Sequence, residues 1–208
     1  MVHVTAPRHD ENPALAELLA ASFATDPVIA RILPPENRTR DSLHLWYLAQ
    51  VDTAAAVDVA RDEDGTAVGV ALWEPPHASW NLRDRFRPLP RMVRAAGGVV
   101  RYHRSCKVMS KLEEHRPRTP HWYLADLAVA SSARGTGVGS RLLQHRLPGF
   151  DRDGHDAYLE ATTAGSRRLY ERNGFEAVAT SYGSCTSMVR RPRNAPALLP
   201  SEPESSVA

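Results

Sequence analysis

The sequence predicts a mixed α/β (α+β) fold in which a mostly antiparallel sheet of about six to seven strands is flanked by helices. Three observations lead to this class. Segments with helical periodicity come first, and two alternating, strand-like segments joined by a turn follow them. An apolar run at 122–129 precedes a glycine-rich loop and another helical segment. Two further strand-like segments end the patterned part of the chain, as is typical of a closing hairpin.

The N-terminal part of the sequence predicts two amphipathic helices followed by two antiparallel strands. Asn12-Pro13 precedes apolar residues at helical spacing, which predicts a helix over 12–23 that ends at Asp26-Pro27. A second helix is predicted over 41–51 from the same periodicity. The strands and the turn between them are predicted at 57–61, 62–65 and 66–73.

The middle and the end of the chain depart from this regular pattern. Residues 77–118 are rich in Arg and Pro and become helical in pattern towards Glu114, so we predict a mostly helical insertion. It either forms a wall of a substrate site or is a solvated excursion without a specific role. Residues 191–208 lack periodicity and are rich in Pro, Ser, Ala and Glu, which predicts a disordered tail after a single domain at 1–190.

The second half of the chain carries the clearest local signals. The run at 122–129 predicts a central strand buried on both faces. A helix opens at Gly139 and ends at Asp153-Gly154, and Pro148-Gly149 is expected to kink or break it. Asn173-Gly174 predicts a helix end with positive φ at Gly174. The other elements are predicted as strand 157–161, helix 166–172 and hairpin strands 175–180 and 186–189.

Composition limits the classes of partner. The net charge is only +2, which argues against general nucleic-acid or membrane binding. We found no stretch of membrane-spanning length and no signal-peptide pattern, so a cytoplasmic location is expected. Cys106 and Cys185 lack metal-ligand spacing, and no metal site is predicted. We expect two reduced thiols, with a disulfide between them left open.

The glycine-rich loop is the strongest candidate for ligand binding. Arg134-x-x-Gly137-x-Gly139 lies between the predicted central strand and a helix, where unpaired backbone N–H groups and the helix dipole attract phosphate. Glycines allow close approach of an anion, and Arg134 can add a charge-assisted bond. The loop lacks the Lys of a Walker motif, and several strands precede it, unlike a dinucleotide fold. A tight turn without a ligand remains the alternative.

A second motif identifies a family resemblance. Leu169-Tyr170-Glu171-Arg172-Asn173-Gly174-Phe175, together with the loop and the strand before it, resembles the GNAT superfamily of acyl-CoA N-acyltransferases. The stretches 115–124 and 158–160 are similar to the branch that contains puromycin N-acetyltransferase. This resemblance implies a single GNAT domain whose sheet is splayed at its centre.

The resemblance also implies a reaction and a cofactor site. The expected function is transfer of an acetyl group from acetyl-CoA, as co-substrate, directly to a primary amine of a small molecule, with antibiotics among the candidates. The alternatives are a protein N-terminus or lysine as acceptor, or a non-catalytic acyl-CoA sensor. The protein is expected to be a monomer or a homodimer. The implied cofactor-binding residues are Leu127, Ala128, Val129, Arg134, Gly135, Thr136, Gly137, Val138, Gly139 and Ser140.

Two catalytic roles follow from the resemblance. Tyr170 matches the family position whose phenol protonates the leaving thiolate. Glu160 is the first candidate for the general base that deprotonates the amine, and Asp126, Glu74 or a water chain are the alternatives. Asp126 is expected instead to be structural and to accept hydrogen bonds from loop N–H groups.

Overall fold

A single mixed sheet organises the protein. The computed structural model describes residues 2–76 and 89–193, and these form a seven-stranded sheet of order β1-β2-β3-β4-β5-β7-β6. Only β4 and β5 pair in parallel, and the other neighbours are antiparallel. The predicted fold class is therefore confirmed. The strands are β1 His3–Thr5, β2 Ala56–Arg61, β3 Ala67–Glu74, β4 His121–Val129, β5 Asp156–Ala161, β6 Glu176–Thr180 and β7 Thr186–Arg190.

Helices cover both faces of this sheet. Alternation along β3 sends Val70 and Leu72 into one apolar core, and Ala71 and Trp73 into the other. The first core holds residues of α1 to α5, and the second holds residues of α6 and α7. The helices are α1 Asn12–Phe23, α2 Ile29–Ile32, α3 Arg40–Val51, α4 Leu89–Ala96, α5 Val99–Leu112, α6 Val138–Asp153 and α7 Ala164–Arg172. Within the described ranges, no helix is both long and apolar enough to cross a membrane.

Local signals placed several element ends correctly. Pro13 lies in the first turn of α1, where its missing N–H costs no helical hydrogen bond. α3 begins at Arg40, one residue before the predicted start, after Thr39 accepts a hydrogen bond from the backbone N–H of Ser42 as an N-cap that was not predicted. Gly154 ends α6 with φ +70°, and Gly174 has the predicted positive φ of +87°. β1 and the short helix α2 were not predicted, because neither is long enough to show a period.

Two expectations about local structure are wrong. Of the two outcomes expected at Pro148-Gly149, a kink or a break, the break does not occur, because α6 continues through both residues to Asp153. Its buried apolar face packs on the sheet through Leu142 and Phe150, and this packing offsets the hydrogen bond that Pro148 lacks. β4 is not buried on both faces, since Asp126 and its two neighbours remain partly exposed. These residues line the site described below.

The described part of the predicted insertion is helical. Residues 89–112 form α4 and α5, whereas residues 77–88 of the insertion and 194–208 of the tail lie outside the described ranges. α5 is fixed to α2 by a buried hydrogen bond, in which Ser105 Oγ donates to the carbonyl oxygen of Ile32 at 2.7 Å. The single domain at 1–190, the limits of the insertion and the disordered tail stay predictions.

Candidate active site

The sheet opens between β4 and β5. These strands pair only at His121↔Asp156, Trp122↔Ala157 and Tyr123↔Tyr158, after which β5 pairs only with β7. The edge of β4 that faces β5 therefore has no strand partner beyond Tyr123. Ala125 is an extra residue in β4, since Leu72 pairs with Asp126 and Trp73 with Leu124, and a bulge of this kind bends a strand. The predicted splay is present.

A cleft of about 830 Å³ follows the open edge of β4. Among the predicted cofactor residues, every one except Thr136 lines this cleft. Thr136 instead stabilises the preceding turn, because its hydroxyl donates to the carbonyl oxygen of Ala133 at 2.8 Å. Arg168 and Arg172 of α7 also line the cleft. With Arg134, they surround the loop with positive charge.

The loop glycines differ in what they do. Gly135 and Gly137 have φ of +78° and +88°, and a Cβ added to either would meet nothing within 4 Å. Both therefore face open space, and Gly137 is the N-cap of α6. Gly139 is different, since a Cβ there would lie 2.9 Å from Leu169 Cδ2. It allows α6 to pack closely on α7, a role that differs from the predicted close approach of an anion.

These residues fit the diphosphate and the amide groups of a coenzyme A molecule. The start of α6 offers unpaired backbone N–H groups, and the three arginines supply positive charge. The free edge of β4 offers backbone donors and acceptors to an extended ligand, in the manner of strand addition. The open space at Gly135 and Gly137 leaves room for the anion.

A second, smaller cavity of about 190 Å³ lies beside this cleft. The two spaces share Phe23, Asp26, Leu127, Thr162 and Ser166 as lining residues, so they meet at that point. The small cavity has aromatic walls and an unusual number of carboxyl groups. The aromatic residues are Phe23, Trp46, Tyr47, Tyr123 and Tyr170, and the carboxyl groups belong to Asp26, Glu74, Glu113, Asp126 and Glu160.

Glu160 lies on β5 just beyond the last paired residues. Its Oε2 accepts a 2.9 Å hydrogen bond from the hydroxyl group of Tyr123. Its Oε1 is buried and makes no hydrogen bond within the described residues, and the same is true of the Tyr158 hydroxyl. Burial raises the pKa of Glu160 to about 7, although the nearby phenols of Tyr158 and Tyr123 favour the carboxylate. A carboxyl group with this pKa can accept a proton near neutral pH.

Asp126 lies on β4 and also faces the cavity. Burial, followed by the charges of Asp26 and Glu74, raises the pKa of Asp126 to about 8. The side-chain amide of Gln50 is oriented with its nitrogen towards Asp126 and its oxygen towards Trp46. The nitrogen donates to Asp126 Oδ2 at 3.0 Å, and the oxygen accepts from Trp46 Nε1 at 2.8 Å. The expectation that Asp126 accepts hydrogen bonds from loop N–H groups is therefore wrong. The partner of its carboxyl group is instead the side chain of Gln50 on α3.

Asp26 joins the two spaces and was not predicted as a site residue. Its Oδ2 accepts a 2.6 Å hydrogen bond from the Thr162 hydroxyl at the end of β5. Its Oδ1 accepts a 2.8 Å hydrogen bond from the backbone N–H of Val28. The sequence offered only Asp26-Pro27 as a helix stop, and that signal carries no information about a neighbour on β5.

Glu74 is compensated by a nearby cation. Arg116 Nη2 lies 2.9 Å from Glu74 Oε2, and its Nη1 lies 3.4 Å from Glu113 Oε2. The same guanidinium group stacks on Tyr123 at 4.0 Å and donates through Nε to His121 Nε2. Because Arg116 holds Glu74 as an ion pair, Glu74 is the least suitable of the three carboxylates considered as general base.

Tyr170 lies on α7 and faces the small cavity. It is 7% exposed and packs edge-on against Phe175 at 5.9 Å. Its hydroxyl group makes no hydrogen bond within the described residues. Burial, with the charges of Asp126 and Asp26, raises the pKa of Tyr170 above its ordinary value of 10.0. The phenol therefore stays protonated at neutral pH, as a proton donor requires.

The described residues show neither a metal-binding cluster nor a disulfide bond. Across residues 2–76 and 89–193, no group of three or more His, Cys, Asp or Glu side chains is arranged to hold a metal ion. Cys106 and Cys185 are free thiols, so the disulfide left open by the sequence is not formed.

Comparisons with known proteins agree with this architecture. Residues 14–175 match the sequence profile of the acetyltransferase (GNAT) family. A structure from Corynebacterium glutamicum, described as histone acetyltransferase HPA2 and related acetyltransferase, is 32% identical with a TM-score of 0.69, over 92% of this chain and 96% of that chain.

Two more distant structures show the shared fold. The mosquito arylalkylamine N-acetyltransferase like 5b is 18% identical with a TM-score of 0.66, over 92% of this chain and 100% of its own. A phosphinothricin acetyltransferase from Sinorhizobium meliloti, solved in complex with AcCoA, is 15% identical with a TM-score of 0.57, over 97% and 94%. This protein therefore belongs to the acetyltransferase (GNAT) family and is an acetyl-CoA-dependent N-acetyltransferase.

Proposed function

We propose that the protein acetylates the primary amine of a small molecule, with Glu160 as general base and Tyr170 as general acid. One observation carries this proposal. The basic cleft and the acidic cavity meet at Asp26, Leu127 and Thr162, so a thioester in the first space and an amine in the second can come into contact.

The cofactor site is assigned to the cleft. Leu127, Ala128 and Val129 offer backbone groups to the pantetheine arm, and the 134–140 loop, Thr136 included, holds the diphosphate. Bound acetyl-CoA supplies a reactive acetyl thioester. A backbone N–H of β4 can donate to the thioester carbonyl as negative charge develops on its oxygen.

The cavity residues move the protons. Glu160 accepts one proton from the substrate ammonium, which leaves a neutral amine able to form the new C–N bond. Tyr170 donates a proton to sulfur as the C–S bond breaks, and the second proton that the nitrogen loses on becoming an amide returns to the Tyr170 phenolate. Asp126 is the second candidate for the base, because its carboxyl group shares the cavity and also has a raised pKa.

A lysine side chain of a protein is a second candidate acceptor. The description of the 32% identical relative as a histone acetyltransferase favours it. The small volume of the cavity favours a small molecule instead. The motif likeness to the puromycin branch would make an aminonucleoside a candidate within that class.

The test is thiol release from acetyl-CoA in the presence of small amines, lysine peptides and aminonucleosides, with products identified by mass spectrometry. Tyr170→Phe should lower kcat by about 10–10³-fold while leaving the Kd for acetyl-CoA within about twofold, because only proton donation is lost. Tyr182→Phe, at an exposed tyrosine that lines neither space, is the matched control. Turnover on lysine peptides alone would overturn the proposal of a small-molecule acceptor.

A further inference from the structure

Resting on the proposed function, we propose that the acceptor is a compact primary monoamine with an apolar or aryl body and no carboxylate. The single ammonium group faces the strands of the cavity, and the hydrocarbon body faces its helices. This class follows from how charge is distributed over the cavity walls.

The cavity has two chemically different sides. Three of its carboxyl groups stand on strands, at Glu74, Asp126 and Glu160, and the other two stand on the segments after α1 and α5, at Asp26 and Glu113. The lining residues that belong to α2, α3 and α5 are uncharged, and Glu113 follows directly after the last of them. The lining residues of α2, α3 and α5 are Ile29, Ile32, Trp46, Tyr47, Gln50, Met109 and Leu112.

The charge on the sheet side suits one cation. No Lys, Arg or His is among the described residues that line the cavity. Arg116, which lies behind the wall, is already bound to Glu74 and Glu113. Asp26, Asp126 and Glu160 are left without a cationic partner in the described structure, and Glu160 Oε1 is buried without any hydrogen bond. An ammonium group placed among them would stabilise their ionised forms.

The same walls exclude other amines. A second ammonium group, as in a polyamine, would lie against Ile32, Met109 and Leu112, where a buried unpaired charge is costly. An α-amino acid would place its carboxylate among carboxylates, and the described lining offers no Lys, Arg or His to bind it. The volume of about 190 Å³ is below the range of about 300–1,000 Å³ common for drug-sized ligands. Bulky aminonucleosides are therefore disfavoured.

Matched pairs of substrates test this inference. 2-Phenylethylamine and L-phenylalanine share the aryl body and differ by a carboxylate, whereas 3-methylbutylamine and 1,4-diaminobutane differ by an added ammonium group. We expect kcat/KM to be at least about 100-fold higher for the monoamine of each pair. Preference for the amino acid, the diamine, a lysine peptide or puromycin would overturn the inference while leaving the acetyltransferase function intact.

If none of these amines is acetylated, the proposed function fails, and binding still tests the substrate class. Isothermal titration calorimetry should then detect 2-phenylethylamine and not L-phenylalanine at equal concentration. Equal binding, or binding of neither, would overturn the inference.

A specificity change tests the role of the helical side. Met109→Glu adds a carboxylate to this side and should raise kcat/KM for 1,4-diaminobutane relative to 3-methylbutylamine by about tenfold or more. Ser110→Glu, at an exposed neighbour that does not line the cavity, is the control and should leave the ratio unchanged. An unchanged ratio in a folded Met109→Glu protein would contradict the assignment. If that variant does not fold, the substrate pairs on the wild-type protein decide the question.

Discussion

The hydroxyl group of Tyr123 donates a 2.9 Å hydrogen bond to Oε2 of Glu160, across the point at which β4 and β5 separate. Tyr123 is the last residue of β4 that pairs with β5, and Glu160 lies two residues beyond its partner Tyr158. The bond therefore spans the end of the strand pairing, where the sheet opens into the small acidic cavity. Because this hydrogen bond favours the carboxylate form of Glu160, a residue at the opening of the sheet affects the pKa of the candidate base.

Tyr123→Phe should move the pH dependence of kcat/KM. In the wild-type protein, the hydrogen bond from Tyr123 favours the carboxylate form of Glu160. Phenylalanine cannot make this bond, so the pKa of Glu160 should rise above about 7 in the variant. The acidic limb of the profile, on which activity rises as the base loses its proton, should shift to higher pH by a measurable fraction of a unit. Glu113, Arg116 and Tyr158 also act on this carboxyl group and are unchanged in the variant. An unshifted limb would show that Glu160 does not set the profile.

Removing each candidate base should separate their roles. Glu160→Gln should lower kcat/KM by about 10²–10⁴-fold at neutral pH and abolish the acidic limb, as expected for loss of a general base. Asp126→Asn should lower kcat/KM by less, and the acidic limb of its pH profile should remain. Steady-state rates from pH 6 to 9, in about half-unit steps, measure both. The reverse result would assign the base to Asp126.

Gly137→Val should abolish measurable acetyl-CoA binding. Gly137 has φ +88° at the N-cap of α6 and faces open space in the cleft, so valine both strains the backbone and fills the space assigned to the diphosphate. Gly154→Val is the matched control, because Gly154 has φ +70° at the other end of α6 and faces open space away from the cleft.

The control separates strain from steric exclusion. Both variants should lose thermal stability, but only Gly137→Val should lose the rise in Tm that acetyl-CoA causes in a binding protein. Normal affinity in a folded Gly137→Val protein would remove the diphosphate from this loop.

Asp126→Asn should change how stability depends on pH. The pKa of Asp126 rises from 3.8 to about 8 on folding, so folding favours its protonated form. Its contribution to the free energy of unfolding is full below about pH 4, falls as pH rises and is lost above about pH 8. Asparagine does not ionise, so the variant does not lose this part of the free energy of unfolding as pH rises. Between pH 5 and 9 it should therefore become increasingly more stable than the wild type.

The expected gain is on the order of a few kcal/mol, measured by urea unfolding without acetyl-CoA. Asp64→Asn, in the exposed turn between β2 and β3, should show no such trend. A pH-independent difference for Asp126→Asn would mean that the carboxyl group ionises normally in the folded protein.

Much of the fold and the cofactor cleft could be predicted from local residue patterns. Gly137 and Gly174 occupy positive-φ positions because a side chain there would be strained, and that requirement is visible in the sequence itself. The predicted residues of β4 and the loop gather in one cleft because strand, turn and helix follow one another in the chain. Tyr170 faces the cavity beside them.

The acceptor cavity could not be predicted in the same way. The charge of Asp26 helps to raise the pKa of Asp126, although a hundred residues separate the two in the sequence. Gln50 and Arg116 gave no signal, because an amide on a helix and an arginine in a loop are ordinary surface residues until a carboxylate lies beside them. Their roles depend on which elements pack together.

The amino-acid sequence by itself determined the family, the order of the longer elements and the glycine-rich turn between β4 and α6, because motifs, backbone geometry and periodicity are set by neighbours in the chain. Only the tertiary structure decided where the sheet opens, which carboxyl groups share one cavity and which side of that cavity is apolar. Burial and long-range charge pairing arise only when distant segments exclude water together.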